Sequence, residues 1–354
     1  QGISRVLSNK GFKVEVLAPL FRLSEPSPTA ACERITCVDL RFLRHVGSER
    51  LPTKILANIL FSFFAMAYAA TERHRVLFIQ YESMFSFPAG FLAKVASRLH
   101  CLGDDILPIT DRFLLSKIHL IAGLLSDAIT VSSPLEKLNF PPYLIRKVIP
   151  LPPGVDAGSI RRSLPVRKSS KKHVVFVGSA TYKPNRIAVS HIVEASRLLP
   201  SDSGLQFIIV GGFKKSQTKL GRVYFVGRVT DAELQSIYSS SQLGILPFFG
   251  TVTEGPKAKA LEFFSAGLLV ISSDEGIDGI QGLVPCRHYV PANSIQELAN
   301  RIVQYTKNPE AARLIAKNGQ EFIVKHQSWQ VVSKTYLDHV QTLRNAKYHS
   351  AHQI

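Results

Sequence analysis

The sequence is poor in the residues from which metal, redox and disulfide sites are usually built. In 354 residues it has four cysteines, two methionines and one tryptophan, and no two cysteines have the Cys-x-x-Cys spacing. Neither a zinc site nor a disulfide framework is indicated, and a reducing cytoplasm is the simplest setting. An Asp-x-Asp sequence is also missing, so no divalent metal held by such a pair of carboxylates is expected.

Long apolar runs are missing as well. The longest, residues 55–70, is interrupted by Asn58 and Ser62, whereas a membrane-spanning helix needs about 20 apolar residues. The run predicts a buried helix. Its phenylalanine-rich centre at 60–64 leaves a membrane-facing surface as the alternative.

Acidic residues are the scarcer charge. The chain has 26 Asp and Glu against 43 Lys and Arg, which gives a net charge of +17 at pH 7. Such a balance favours an anionic partner, which could be nucleic acid, an anionic membrane face or a phosphorylated substrate. A solvated basic surface would have the same composition, so charge alone does not choose between these.

Short apolar runs alternate with helical patterns along the chain. Near-continuous runs of about four to six apolar residues are typical of parallel strands that are covered on both faces. They predict strands at 14–17, 76–80, 128–131, 148–151, 174–177, 206–210, 223–226, 243–247 and 268–272. Helices are predicted at 88–99, 187–199, 231–239 and 258–266. This alternation predicts an α/β protein with two doubly wound parallel sheets.

A basic, polar connector indicates the domain boundary. Residues 161–172 hold six Lys and Arg and no acid, which is typical of an interdomain linker. The predicted organisation is an N-terminal domain at 1–152, a linker at 153–172, a C-terminal domain at 173–330 and a final helix at 331–354 that packs back toward the first domain. The chain does not begin with Met, and an opening strand of the first domain is expected to be missing.

Three predicted strands of the second domain end in glycine, at Gly178, Gly211 and Gly227. Ligands of open α/β sheets bind at the carboxyl ends of the strands. After Gly178, the backbone N–H groups of a turn can approach an anion, and Lys183 adds a positive charge. The pattern indicates a small-molecule cleft, although glycines that only serve left-handed turns would look the same.

The strongest signal lies at residues 247–262. Glu254 and Glu262 flank seven residues, among them a predicted transition from loop to helix. Lys257 and Lys259 bring two cations to the helix N-terminus, whose free N–H groups already favour anions. Such a site suits a diphosphate, and Glu262 can accept hydrogen bonds from a pair of sugar hydroxyls. An amphipathic surface helix with a charged first turn is the alternative.

This segment resembles the signature of the family 4 retaining glycosyltransferases, in which two glutamates flank seven residues. It is also similar to a glycine-rich variant of that signature, which it matches at Gly255, Lys259, Leu261, Glu262, Ala266, Gly267 and Val270. Residues 176–185 resemble the opening of the family's C-terminal domain, and residues 149–156 resemble its hinge. The resemblance covers residues 148–340.

The resemblance implies the GT-B fold, in which two Rossmann-like domains face a cleft. The domain at 1–152 would bind the acceptor and the domain at 173–330 the nucleotide-sugar donor. Glu254 and Lys259 would serve catalysis, with Glu254 meeting hydroxyls of the transferred sugar. Glu262 would bind the ribose. The other implied donor-binding residues are Gly178, Ser179, Lys183, Arg228, Val229, Gly255 and Lys257. Lys183 or Arg186, together with Lys257 and Lys259, would contact the diphosphate, and the loop at 227–229 would line the base pocket.

The expected reaction transfers a sugar, with retention of configuration, from a nucleotide-diphosphate sugar to a glycan or a lipid-linked acceptor. Fixed cations can stabilise the leaving diphosphate, so no metal and no cofactor is expected. In the first domain, His100 and Asp105 are candidate acceptor residues on a loop predicted at 100–105. The expected location is cytoplasmic, with possible peripheral attachment to an anionic membrane face.

Two other classes of function are alternatives. A sugar-nucleotide epimerase shares the architecture, but it would need acid and base residues at the cleft that the sequence does not identify. A nucleic-acid-binding protein would explain the basic charge. Its basic residues should be interleaved with aromatics, which is not the pattern here, so no nucleic-acid partner is expected.

Overall fold

A computed structural model describes residues 15–20, 34–39, 76–79, 100–104, 120, 123–124, 126–155, 173–213, 218–251 and 257–351. The chain divides into two compact units. The first comprises Gln1–Leu151 with Val332–Ile354, and the second comprises Pro152–Val331. The apolar run at 55–70, the helix predicted at 88–99 and the basic stretch at 161–172 lie outside the described residues.

The first unit contains parallel sheet structure. Its elements are β1 (Glu15–Leu20), β2 (Arg34–Asp39), β3 (Val76–Ile79), β4 (His100–Asp104), β5 (Ala128–Val131), α1 (Pro134–Lys137), α2 (Pro142–Ile145) and β6 (Val148–Pro150). β1 pairs with β2, and β3, β4, β5 and β6 pair in that order, all in parallel. Every residue of β5 is buried, as expected for a strand that is covered on both faces.

The prediction of a loop at 100–105 is wrong, because residues 100–104 form β4. His100 is paired with Val76 of β3, and Leu102 is paired with Ala128 of β5. A strand between two neighbours obtains its hydrogen bonds from both of them, so tertiary pairing can override a weak local pattern.

The second unit is built on a sheet of seven strands. They are β7 (His173–Val177), β8 (Gln206–Val210), β9 (Thr218–Leu220), β10 (Val223–Gly227), β11 (Ser241–Leu246), β12 (Leu269–Ser272) and β13 (Val290–Pro291). Their order is β13-β12-β11-β7-β8-β10-β9, and only the edge strand β9 is antiparallel to its neighbour. The chain winds outward from β7 through β8 to β10, and then from β11 through β12 to β13. This is the doubly wound order, with its switch point between β7 and β11.

Four helices connect strands of this sheet: α3 (Lys183–Leu198), α4 (Asp231–Ser240), α5 (Ala258–Ser265) and α6 (Asp274–Ile277), with a short 3₁₀ turn at Ser201–Ser203. After β13 follow α7 (Ile295–Lys307), α8 (Pro309–Gln327) and α9 (Trp329–Ala351), which belongs to the first unit from Val332 onward. Local chemistry explains several of their starts. Thr230 and Glu233 form a reciprocal capping box at α4, which satisfies two backbone donors that the helix cannot pair itself.

In the core of the second unit, α5 packs closely against the sheet. Val174, Val175 and Phe176 of β7 are completely buried, as is Phe263 of α5. Gly244 of β11 lies directly under that ring, because a Cβ at this position would be 2.6 Å from the Phe263 side chain. The missing side chain lets α5 approach the strand, and this close packing sets where the polar residues of α5 emerge.

Candidate active site

The site is built at the carboxyl ends of β7 and β11. At a switch point the connections leave two neighbouring strands in opposite directions, which opens a crevice beyond their ends. Gly178 follows β7, and Lys259 reaches it from α5, the helix after β11. A Cβ at Gly178 would lie 2.9 Å from the Lys259 Nζ and 2.8 Å from the Asn185 side chain. Only glycine leaves room for both groups at this position.

The glycines that end β7, β8 and β10 lie against one another. The Gly178 N–H donates to the Val210 carbonyl at 3.1 Å, and the Gly211 N–H donates to the Gly227 carbonyl at 2.7 Å. Gly211 has a φ of 128°, and a Cβ there would be 1.9 Å from the Gly178 carbonyl oxygen. These glycines therefore serve close backbone approach at the same edge where a ligand of such a sheet would bind.

The turn between β7 and α3 is held by side chains. The Ser179 hydroxyl lies 2.7 Å from the Thr181 hydroxyl and accepts the Thr181 N–H at 3.3 Å. Arg186 donates to the carbonyls of Ala180 and Thr181 at 2.8 and 3.2 Å. Arg186 thus braces the turn, whereas Lys183 is exposed at the first position of α3.

Lys259 is held by a neutral amide and two aromatic rings. Its Nζ donates to the Asn185 Oδ1 at 2.6 Å, and it lies 4.7 Å from the ring centroid of Phe176 and 5.1 Å from that of Phe248. Burial, reinforced by the charge of Lys257 and opposed by that of Glu262, lowers the pKa of Lys259 to about 7. The amine therefore changes charge near neutral pH.

Lys257 precedes the first residue of α5 and is itself buried. Two lysines at one helix N-terminus concentrate positive charge where the helix dipole is already positive. The loop that leads toward them is fixed at 247–251. The His191 ring stacks on Phe249 with centroids 4.3 Å apart, and its Nδ1 lies 3.0 Å from the Pro247 carbonyl. Glu275 accepts the Gly250 N–H at 3.3 Å.

Glu262 lies on α5 and is oriented from α4. Its Oε2 accepts the Tyr238 hydroxyl at 2.7 Å, and the Tyr238 ring meets Phe263 edge-on with centroids 5.8 Å apart. Tyr238 is 1% exposed. Burial, reinforced by the charge of Glu262, raises the pKa of Tyr238 well above its usual range, so the phenol stays a hydrogen-bond donor.

Arg228 and Val229 directly follow β10 at the same edge. Arg228 is exposed, with its Nε 3.7 Å from where a Cβ at Gly212 would lie, and Val229 packs against the core. Glu254 and Gly255 lie outside the described residues, so their proposed roles stay predictions.

The acceptor candidates belong to the first unit. His100 is the first residue of β4, at the amino end of a parallel strand, and Asp105 lies outside the described residues. Because ligands bind at the carboxyl ends of such strands, the position of His100 does not support its role as an acceptor residue, and the role of Asp105 stays a prediction.

Sequence reasoning missed Asn185 and Tyr238 as parts of the site. Asn185 stands in the segment that resembles the family opening, but it is 74 residues from Lys259. Tyr238 carried no signal beyond its place in a helical pattern. Within the described residues, no group of three or more His, Cys, Asp or Glu could hold a metal ion.

Similar solved structures identify the fold. Sucrose-phosphate synthase from Thermosynechococcus elongatus has a TM-score of 0.67 and 20% identity, covering 97% of this chain and 92% of that chain. The Anabaena protein HepE in complex with UDP has a TM-score of 0.67 and 12% identity, covering 94% and 100%. The E. coli structure described as trehalose-6-phosphate bound with UDP-2-fluoro glucose has a TM-score of 0.68 and 10% identity, covering 92% of this chain and 99% of that chain. The fold is that of the GT-B glycosyltransferases, as the resemblance predicted.

The family comparison adds the activity. Residues 171–308 match the sequence model of the family described as glycosyl transferases group 1. The chain is a glycosyltransferase, which confirms the predicted class of enzyme. No curated protein gives a significant match to the chain.

Proposed function

We propose that this glycosyltransferase moves a sugar from a nucleoside diphosphate sugar to a glycan or a lipid-linked acceptor, with retention of the anomeric configuration and without a metal ion. The observation that carries the proposal is the placement of Lys259. Its amine lies beside Gly178 at the switch point of a doubly wound sheet, the position at which such sheets bind nucleotides.

The diphosphate would be bound by Lys257, Lys259 and the first turn of α5. Each positive charge disfavours the other in the empty site, and an anion relieves that repulsion. Lys259, with a pKa of about 7, would take up a proton as the diphosphate binds. Two positively charged lysines beside the diphosphate stabilise the negative charge that develops on it as the bond to the transferred sugar breaks.

The ribose would be bound by Glu262. The Tyr238 hydroxyl contacts the Oε2 atom, which orients the carboxylate so that Oε1 can accept from a ribose hydroxyl. As the resemblance implies, Glu254 is proposed to bind the hydroxyls of the transferred sugar. Gly255 is proposed to contribute to donor binding.

Uridine is the first base to test, because the similar HepE and E. coli structures contain UDP and UDP-2-fluoro glucose. A thermal-shift screen of UDP-, GDP- and ADP-sugars tests the proposal directly. A donor present at a hundredfold excess over its dissociation constant stabilises the protein by about 2.7 kcal/mol. If no member of the panel raises the melting temperature, the donor site proposed here is wrong.

Metal independence is tested on the donor that the screen identifies. Transfer should continue in EDTA, because Lys257 and Lys259 supply the positive charge that a metal would otherwise provide. Activity that EDTA abolishes and Mg²⁺ or Mn²⁺ restores would contradict this part of the proposal.

Peripheral attachment to an anionic membrane face is proposed from two features of the sequence. The net charge is +17, and every charged residue of the segment 161–172 is basic. Each Lys or Arg near an anionic leaflet contributes about 1 kcal/mol. None of the helices in the described part of the chain has the length and apolar character needed to cross a membrane. Co-sedimentation with anionic vesicles at low salt tests the attachment, and protein that stays in the supernatant would refute it.

A further inference from the structure

The Asn185 side chain joins two parts of the site that are far apart in sequence. It is 4% exposed, and both ends of its amide are engaged. The Nδ2 donates to the Ser179 carbonyl at 2.9 Å, and the Oδ1 accepts from Lys259 Nζ at 2.6 Å. One side chain of α3 therefore contacts both the β7–α3 turn and the lysine of α5.

These contacts determine which way round the amide lies. A carbonyl oxygen only accepts hydrogen bonds, so the Asn185 NH₂ group must face Ser179. The amide oxygen is then the atom left to face Lys259, an ammonium donor with no acceptor capacity. Aspartate in this position could not donate to Ser179, and a residue without an amide could serve neither partner.

We propose that Asn185 is the positioning residue of Lys259, holding its amine over the β7–α3 turn where the donor diphosphate would bind. This rests on the proposed function. The neutral amide fixes the position of the amine without neutralising it, so the lysine charge remains available to an anion. A carboxylate in the same place would form an ion pair with Lys259 and compete with the phosphates.

The charges around Lys259 support a role for a neutral partner. Lys257, at the start of α5, disfavours the ammonium form and Glu262, one turn later, favours it. Asn185 of α3, Phe176 of β7 and Phe248 of the loop after β11 carry no charge. Burial thus dominates and brings the pKa of Lys259 to about 7. A second carboxylate would raise that pKa.

The first test is a double-mutant cycle on nucleotide affinity, measured by calorimetry with UDP, GDP and ADP. Asn185→Ala should weaken the affinity for whichever of these nucleotides binds by about tenfold or more, since hydrogen bonds to charged groups are among the stronger ones. In a Lys259→Met background the same substitution should change affinity by less than about twofold, because residues that act through one contact are not additive. Equal losses in both backgrounds would overturn the inference.

The second test does not need a nucleotide. Acylation of Lys259 by an amine-reactive ester, followed by mass spectrometry across pH, reports the fraction of neutral amine. Exposed Lys317 in the same protein is the control. Asn185→Asp should lower Lys259 reactivity by roughly tenfold at about pH 6, below the wild-type pKa of about 7, since a rise of one pKa unit lowers the neutral fraction tenfold there. Circular dichroism verifies that the variant is folded.

The two tests separate the possible failures. If the wild type binds neither UDP, GDP nor ADP, the proposed donor site fails, while the acylation profile still decides whether Asn185 positions Lys259. An Asn185→Asp profile identical to that of the wild type would overturn the positioning role, whatever nucleotide the protein binds.

Discussion

Lys259 and Glu262 lie one helical turn apart on α5, yet the protein supports them differently. Lys259 has a neutral amide and two aromatic rings around it, and burial lowers its pKa to about 7. Glu262 receives a hydrogen bond from Tyr238, whose own pKa is raised so that it keeps its proton. The lysine can change its charge when a ligand arrives, whereas the glutamate is oriented by a donor that does not titrate near neutrality.

The difference suggests two tasks for one helix. A diphosphate brings negative charge, and a lysine that is partly neutral beforehand avoids burying a full unpaired cation in the empty site. A ribose brings neutral hydroxyls, whose recognition depends on the direction of the acceptor rather than on its total charge. Substitutions of Lys259 and Glu262 should therefore differ in the size of their effect and in the ligand group on which that effect depends.

The largest effect is expected at Lys259. Lys259→Met keeps the apolar stem and removes the charge, so transfer should fall by about 10²–10³-fold, the range found when one preorganised donor to a developing charge is lost. Initial rates with the donor identified by the screen measure it. Lys317→Met, on an exposed face of α8, is the matched control and should retain wild-type activity. A Lys259→Met enzyme within threefold of that control would refute the role.

Glu262→Ala should come next, with nucleotide affinity reduced by roughly tenfold to a hundredfold. The expectation corresponds to one charge-assisted hydrogen bond to ribose of about 1.5–3 kcal/mol. Glu262→Gln is the informative comparison, because its amide can still accept from Tyr238 while losing the charge. Calorimetry with the nucleoside diphosphate measures both variants, and unchanged affinity in folded Glu262→Ala protein would remove Glu262 from the site.

A pH series tests the role of Lys259 separately from that of Glu262. Affinity for a nucleotide sugar, whose diphosphate does not titrate in this range, should fall as the pH rises through the Lys259 pKa of about 7. The neutral amine must then gain a proton to bind, which makes affinity about tenfold weaker at about pH 8 than at about pH 6. The Lys259→Met variant should lack this slope. A wild-type slope that persists in that variant would assign the titration to another group.

The smallest effect is expected at Tyr238. Tyr238→Phe keeps the ring that packs edge-on against Phe263 and removes only the donor to Glu262, so nucleotide affinity should fall by about threefold to tenfold. The loss should shrink with a 2′-deoxyribose nucleotide if the phenol acts through ribose recognition. An equal loss with both nucleotides would show that Tyr238 only stabilises the fold.

Several elements of both units were predictable from local pattern. The strands predicted at 128–131 and 206–210 agree with β5 and β8 to the residue, because near-continuous apolar runs of that length have few other structures available. α3 begins at Lys183, four residues before its predicted start. Pro184 lies in its first turn, where the N–H that proline lacks has no partner in any case.

Three of the strands that the pattern missed share a physical reason. β2, β4 and β9 contain polar or charged residues in runs too short or too mixed for an apolar pattern. Their extended form depends on hydrogen bonds from neighbouring strands, and those neighbours come from elsewhere in the chain. The residue types at 254–262 likewise indicated a sugar and diphosphate site, but not which other side chains would complete it.

Residue order was therefore sufficient for the alternation of strands and helices, the glycine-ended strands and the two lysines at the start of α5, since each depends on neighbours along the chain. Only the tertiary structure brought Asn185 to Lys259 across 74 residues and Tyr238 to Glu262 across 24. Both contacts depend on how β7 and β11 pair and how closely α5 packs on Gly244. The geometry of a hydrogen bond between distant residues is decided by that packing, which local pattern does not contain.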